Sequence, residues 1–411
     1  MPAALSPDAL DWGIAAIFAI VYLGMFLGGL PKLKLDRTGI ALLGAIAMIG
    51  SGALDPAAAV QAIDLPTMLL LFSFMVVSAQ MRLGGFYSAV TRGIAAWPLS
   101  PPQLLGALIF VAAALSAVFS NDVVCLAMTP IVARICLARG LPPLPFLVGL
   151  ACAANLGSAA TLIGNPQNML IGAVKRLDFA AYSAAALPPV ALSLLLLWGF
   201  LAWRLPSAPA VPPAPSVAAE EAPAFDRWQS AKGLLIATAL LIVFLFTSFP
   251  REVAALIAAG LLLLSRRFHS SQVLGFVDWE LLVLFAGLFV VNHAFETTGL
   301  AAAAFQWLAE QGLALHEPAS LGLATILLSN LVSNVPAVML LLPAIGSVKA
   351  AHLLALFSTF AGNLLLVGSI ANLIVADLAK KDGIEIGWLE HARIGVPITV
   401  GSAALVWLWL A

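Results

Sequence analysis

Asp122 stands inside a long apolar stretch, in the run Ser120-Asn121-Asp122-Val123. A carboxylate at membrane depth is costly and by default functional. It can carry a coupling proton or ligate Na⁺; its structural alternative is to cap the helix that follows. An altered copy, Ser333-Asn334-Val335-Pro336, interrupts a second apolar stretch, and Pro130 and Pro343 follow the two copies at the same distance. Two further interruptions, 155–168 and 363–372, carry Asn155, Thr161, Asn165, Asn168, Asn363, Ser369 and Asn372. Half-helix N-termini present amides and a positive dipole end to an anion. Unwound carbonyls suit Na⁺. The expected substrate or ion site is therefore Ser120, Asn121, Asp122, Asn155, Thr161, Asn165, Asn168, Ser333, Asn334, Asn363, Ser369 and Asn372. Asp122 is the coupling group for H⁺ or Na⁺. Cys125, one turn after Asp122, could hold a soft arsenic(III) centre, although such a cysteine is more often a small apolar filler. No catalytic residues, metal site or cofactor are expected beyond a bound Na⁺ or H⁺. A Gly-rich phosphate loop ending in Lys is not found, so the chain reads as no enzyme and no ATPase.

These polar breaks need a membrane around them. Of 411 residues, 62% are hydrophobic and 9% charged, with a mean hydropathy of +1.05, against roughly 25% charged in soluble domains. The net charge of −1 gives no reason to expect nucleic acid. Three cysteines in apolar surroundings make no disulfide framework. The segment before the first apolar run is acidic, with Asp8 and Asp11, which is not a signal-peptide pattern.

Apolar runs of about 20 residues predict spans at 12–30, 39–55, 66–85, 181–203, 232–249, 252–265, 279–297 and 392–410. The regions 145–175 and 352–379 read as broken spans, and 102–139 and 318–349 as re-entrant hairpins with the Ser-Asn motifs at their tips. With both termini outside, Lys32, Lys34, Arg37, Arg82, Arg134, Arg139, Arg266, Arg267, Lys380 and Lys381 face the cytoplasm, and Lys175, Arg176, Arg251 and Lys349 face out. That bias satisfies the positive-inside rule. A Pro/Ala-rich stretch at 205–227, with Glu220 and Glu221, reads as a flexible cytoplasmic linker.

The linker separates two halves, 1–204 and 228–411. Asp64 and Gly85 recur as Asp278 and Gly299 at a spacing of 214, Ser120 as Ser333 at 213, and Ile163–Asn168 as Val367–Asn372 at 204. The expected fold class is all-α and polytopic: two inverted repeats, each of five spans and one re-entrant hairpin, with a central site at the helix breaks.

The run Ser120-Asn121-Asp122…Thr129-Pro130, with Asn155-Leu-Gly-Ser and Ile163-Gly-Asn-Pro-Gln-Asn168, resembles the ion transporter superfamily of arsenite permeases, divalent-anion/sodium symporters, citrate carriers and NhaD-type antiporters. The resemblance covers about 15–410. In the symporters each tip reads Ser-Asn-Thr; here the third positions are Asp122 and Val335, which puts two symmetric Na⁺ sites in doubt and lies closer to the arsenite and silicate efflux branch. The resemblance implies a scaffold domain, a moving transport domain and an elevator-like cycle. The reading is a secondary transporter in the inner membrane that carries an arsenite- or silicate-like oxyacid with protons. Its alternatives are a Na⁺-coupled carboxylate or sulfate symporter, a Na⁺/H⁺ antiporter and, from another class, a channel. The expected partners are a small inorganic or organic anion, H⁺ or Na⁺, and lipid; a homodimer and a separate ATPase subunit stay open.

Overall fold

The computed structural model describes residues 9–29, 33–205 and 224–410. Lys32, Asp8 and the stretch 206–223 of the expected linker, including Glu220 and Glu221, lie outside the described residues. Among the described residues the chain forms α-helices, two short 3₁₀ turns and no strand.

The first half contains α1 (Ala9–Leu27), α2 (Arg37–Gly50), α3 (Pro56–Ala62), α4 (Leu65–Leu83), α5 (Phe86–Ala96), α6 (Pro101–Val118), α7 (Asn121–Ala138), α8 (Pro143–Ser158), α9 (Pro166–Val174) and α10 (Phe179–Arg204). The second half repeats the order: α11 (Arg227–Phe246), α12 (Arg251–Leu263), α13 (Ser270–Leu274), α14 (Trp279–Thr297), α15 (Leu300–Glu310), α16 (Pro318–Val332), α17 (Asn334–Leu341), α18 (Val348–Ala361), α19 (Ile370–Lys381) and α20 (Trp388–Leu410).

The local chemistry repeats with the order. Asp64 caps α4 by accepting from Thr67 N, and Asp278 caps α14 by accepting from Leu281 N, each at 2.9 Å. Such a cap contributes about 0.5–2 kcal/mol. Gly85 and Gly299 then turn the chain in the left-handed region, at φ 66° and 72°, which glycine adopts without penalty. Prolines open α6, α8, α9 and α16, where their missing N–H leaves no helical bond unmade.

The packing is reciprocal between halves. α2 lies against α14 as α12 lies against α4, and α10 and α20 pack on each other. In each half the hairpin lies on the broken span: α6 and α7 on α8, α16 and α17 on α18. A single apolar core runs through both halves.

The expected spans are found with ends shifted by a few residues, and both broken spans are interrupted, between Ser158 and Pro166 and between Ala361 and Ile370. The short helices α5 and α15 were not expected. At 11 residues each they are too short to register as spans, and the glycine turn before each sets them off from α4 and α14. The two hairpins differ in size. The arms of the first have 18 residues each and those of the second 15 and 8. At 1.5 Å per residue an 18-residue arm is about 27 Å long. α6 and α7 are thus among the eight described helices long and apolar enough to cross a membrane.

Candidate substrate-binding site

The breaks bring amides from both halves together. Asn121, the first residue of α7, donates from Nδ2 to Asn155 Oδ1 at 3.0 Å, and Ser369 Oγ donates to the same oxygen at 3.0 Å. Asn155 Nδ2 donates in turn to Asn363 Oδ1 at 2.9 Å and Asn372 Oδ1 at 3.2 Å. Asn372 Nδ2 donates to two carbonyls freed by the second break, Gly362 at 2.7 Å and Leu365 at 3.1 Å. Carbonyls only accept, so they fix which way Asn372 points. Asn372 then orients Asn155, and Asn155 orients Asn121 and Asn363. Asn121 Oδ1 and Asn363 Nδ2 are left buried without a protein partner.

A matching cluster lies across the repeat. Thr359 occupies in α18 the position that Asn155 occupies in α8, 204 residues earlier. Its Oγ1 accepts from Asn165 Nδ2 at 3.2 Å and lies 3.3 Å from Asn168 Oδ1. Asn155 thus meets Ser369 and Asn372 of the second half, while Thr359 meets Asn165 and Asn168 of the first. Asn165 and Ser369 play the same local part. Each caps the helix after its break, Asn165 by accepting from Asn168 N at 2.9 Å and Ser369 from Ala371 N at 3.2 Å.

The hairpin tips meet this centre differently. Asn121 N reaches Gly164 O at 3.4 Å, and Ser120 N reaches Ser78 Oγ at 3.4 Å. Ser120, not Asp122, is the N-cap of α7. The capping alternative for Asp122 is therefore corrected: the carboxylate sits in the first turn, where a helix dipole favours its charge, and it is partly exposed. In the second tip Asn334 lies against Gly362, its Nδ2 3.1 Å from where a Cβ there would stand. Asn334 Oδ1 is buried without a partner, as is Asn330 Oδ1 in the arm before it. Ser333 has φ 80° and ψ 159°, a region essentially reserved for glycine.

Of the expected residues, Asn121, Asn155, Asn363, Ser369 and Asn372 form one bonded network, and Asn165 and Asn168 belong to its partner cluster. Asn334 borders the second break. Thr161 is committed elsewhere, donating to Ala117 O in the first hairpin arm. Cys125 is fully buried and free. Sequence reasoning missed Thr359, Asn330, Tyr182 and His391. Thr359 could have been found by extending the spacing of 204 backwards from Asn363. Two glycines let backbones meet here: a Cβ on Gly157 would overlap the Ala113 backbone of α6, and one on Gly395 would overlap Asn363 O.

A separate cavity of about 510 Å³ lies between α4, α9, α14 and α17. Asp64, Lys175, Asn292, His293 and Glu296 line it, and none of the central network amides does. Lys175 Nζ donates to Ile345 O at 2.7 Å.

The profile of the citrate transporter family matches residues 23–353. The chain is 28% identical to a silicon efflux transporter of Oryza sativa subsp. japonica, over 94% of this chain and 95% of that one. It is 30% identical to an uncharacterized transporter of Mycobacterium tuberculosis, over 95% and 98%. The crystal structure of the Alcanivorax borkumensis YdaH transporter covers 98% of both chains at a TM-score of 0.59 and 15% identity, which is a likeness of fold. With a family profile spanning most of its length and relatives matched nearly end to end, this chain belongs to the citrate transporter family and is a multi-pass membrane transporter.

Proposed function

We propose that the chain is a secondary active transporter that moves a small oxyacid or oxyanion, arsenite- or silicate-like, across the cytoplasmic membrane, coupled to protons through Asp122. The observation that carries this reading is the donor set. The central network consists of amides and hydroxyls, with no lysine or arginine within it. Orphaned Asn121 Oδ1, Asn334 Oδ1 and Asn363 Nδ2 offer both acceptors and a donor to an occupant. A small polyhydroxylated acid meets such a set with its own donors and acceptors. A multiply charged carboxylate would need cations that the network does not supply. The rice relative's name supports the oxyacid class. The family's name favours a carboxylate as substrate, and amide oxygens can ligate Na⁺, which together make the second reading a Na⁺-coupled carboxylate symporter.

The repeated helix order and reciprocal packing support inverted repeats; an elevator-type cycle, re-entrant hairpins and both termini outside complete the proposal. Proteoliposome uptake of labelled arsenite, silicate, sulfate and dicarboxylates under imposed H⁺ or Na⁺ gradients tests the substrate and the coupling ion. Proton-driven arsenite or silicate movement is expected; Na⁺-driven dicarboxylate uptake alone would overturn the reading. Asp122→Asn should abolish proton-driven accumulation and leave counterflow partly intact. For orientation, Arg266→Cys should label from the cytoplasm and Lys349→Cys from outside. Labelling of both from one side would overturn the inverted topology.

A further inference from the structure

Neither Tyr182 nor His391 is accounted for by the binding network, yet the two stand in equivalent places. Tyr182 is in the first turn of α10 and His391 in the first turn of α20, 209 residues apart. The prolines Pro188 and Pro397 keep the same spacing further along these helices. Tyr182 is 0% exposed and His391 1%. The Tyr182 hydroxyl donates to Ala159 O at 2.8 Å, a carbonyl at the first break, and accepts from Asn168 Nδ2 at 3.0 Å. His391 Nε2 lies 3.0 Å from Asn363 O, the matching carbonyl at the second break, and 3.5 Å from Asn372 Nδ2. Ala159 and Asn363, and Asn168 and Asn372, correspond at the spacing of 204. The same pair of contacts is thus made twice, once by a phenol and once by an imidazole.

The chemical difference between the two groups matters. A phenol donates and accepts through one oxygen. Asn363 O can only accept, so His391 Nε2 must carry a hydrogen, and a protonated ring nitrogen cannot also accept from Asn372 Nδ2. Asn372 Nδ2 is held instead by Gly362 O and Leu365 O. Those carbonyls set the direction of every amide back to Asn121. Asn363, whose carbonyl His391 holds, is the residue with the orphaned Nδ2.

We infer that Tyr182 and His391 are paired positioning residues that hold the two breaks open, and that His391 in particular, through the Asn363 carbonyl, holds in place the residue whose Nδ2 is free for the substrate. The second half of this statement rests on the proposed function; the first does not.

The test uses three variants of the full chain in proteoliposomes, with labelled arsenite as the probe. His391→Leu removes the donor, and His391→Gln restores an N–H donor at similar reach. Tyr182→Phe removes the hydroxyl. Losing one hydrogen bond of this kind is worth about 0.5–1.5 kcal/mol, so His391→Leu should raise KM roughly three- to tenfold with the maximal rate little changed, and His391→Gln should recover the lower KM. Hydrogen exchange of the purified, substrate-free protein gives a second readout. His391→Leu should speed exchange at 363–372 alone, Tyr182→Phe at 159–168 alone, and His391→Gln should reverse the former. If the wild type moves no arsenite, the oxyacid reading fails and exchange alone decides the positioning claim. Unchanged exchange at 363–372 in His391→Leu, or faster exchange throughout the molecule that Gln does not reverse, would overturn it. So would a wild-type KM in His391→Leu alongside working arsenite transport.

Discussion

The two hairpin tips begin from nearly the same residues and end in different states. The first starts a regular helix at Asn121, whose amide is bonded to Asn155 and through it to the opposite half. The second starts at Asn334, whose Oδ1 has no partner, after Ser333 in a conformation that costs about 1–3 kcal/mol. What holds the second tip comes from the outer helices: Tyr22 of α1 donates to Asn292 of α14 at 2.8 Å and lies 3.3 Å from Pro336 O. One tip is wired into the site, and the other is strained and braced from behind. Equivalent motifs need not do equivalent work. The tip with the carboxylate is the tip bonded to the centre, and the tip with Val335 leaves Asn334 Oδ1 unspent.

The largest test of this contrast is to cut the wire. Asn155→Ala strands Asn121 Nδ2, Ser369 Oγ, Asn363 Oδ1 and an acceptor on Asn372. Each buried group left unsatisfied costs about 1–3 kcal/mol. Transport should fall by more than about a hundredfold and thermal stability should drop with it, as size-exclusion after heating would record. A variant with wild-type melting would mean that the first tip is not structurally wired at all.

Relief of strain reads the other tip. Ser333→Gly should stabilise the protein by up to about 1–3 kcal/mol, whereas Ser120→Gly, at φ −56°, should give no gain. Equal shifts in melting temperature for the two would erase the distinction. A finer comparison sets Asn121→Ala against Asn334→Ala. Both should weaken substrate binding roughly three- to tenfold, from about 0.5–1.5 kcal/mol per hydrogen bond, but only Asn121→Ala should also lower the melting temperature. The smallest effect is expected from Tyr22→Phe, which removes one brace and should expose 333–341 to limited proteolysis with little change at 120–138.

Much of this was legible beforehand. Apolar length located the spans, and polar interruptions located all four breaks, because buried amides are costly enough to be rare without a purpose. The repeat was visible wherever both halves kept the same residue, as at Asp64 and Asp278 or Asn168 and Asn372. It vanished where the chemistry was kept and the residue was not. Asn155 answers to Thr359, and Tyr182 to His391, and no identity links either pair. The spacing also slips from 204 to 209 between the second half-helix and the last span, since the chain from α19 to α20 is longer than that from α9 to α10. The unusual backbone of Ser333 left no mark in the sequence, where glycine would have announced it. Asp122 read first as a functional acid and kept capping as its alternative until Ser120 was found in the capping position.

The glycine contacts at Gly157 and Gly395 bear on how such a protein can change its cargo over evolutionary time. Each presses one main chain against another, so any substitution there is paid for in the frame before it reaches the ligand. The side chains of Asn121 and Asn363 project from that frame, each with one amide atom left uncommitted, so a change there meets the ligand first. A lineage can therefore drift through many solutes on one unaltered scaffold, and two members that carry different molecules should differ at the amides and agree at the glycines.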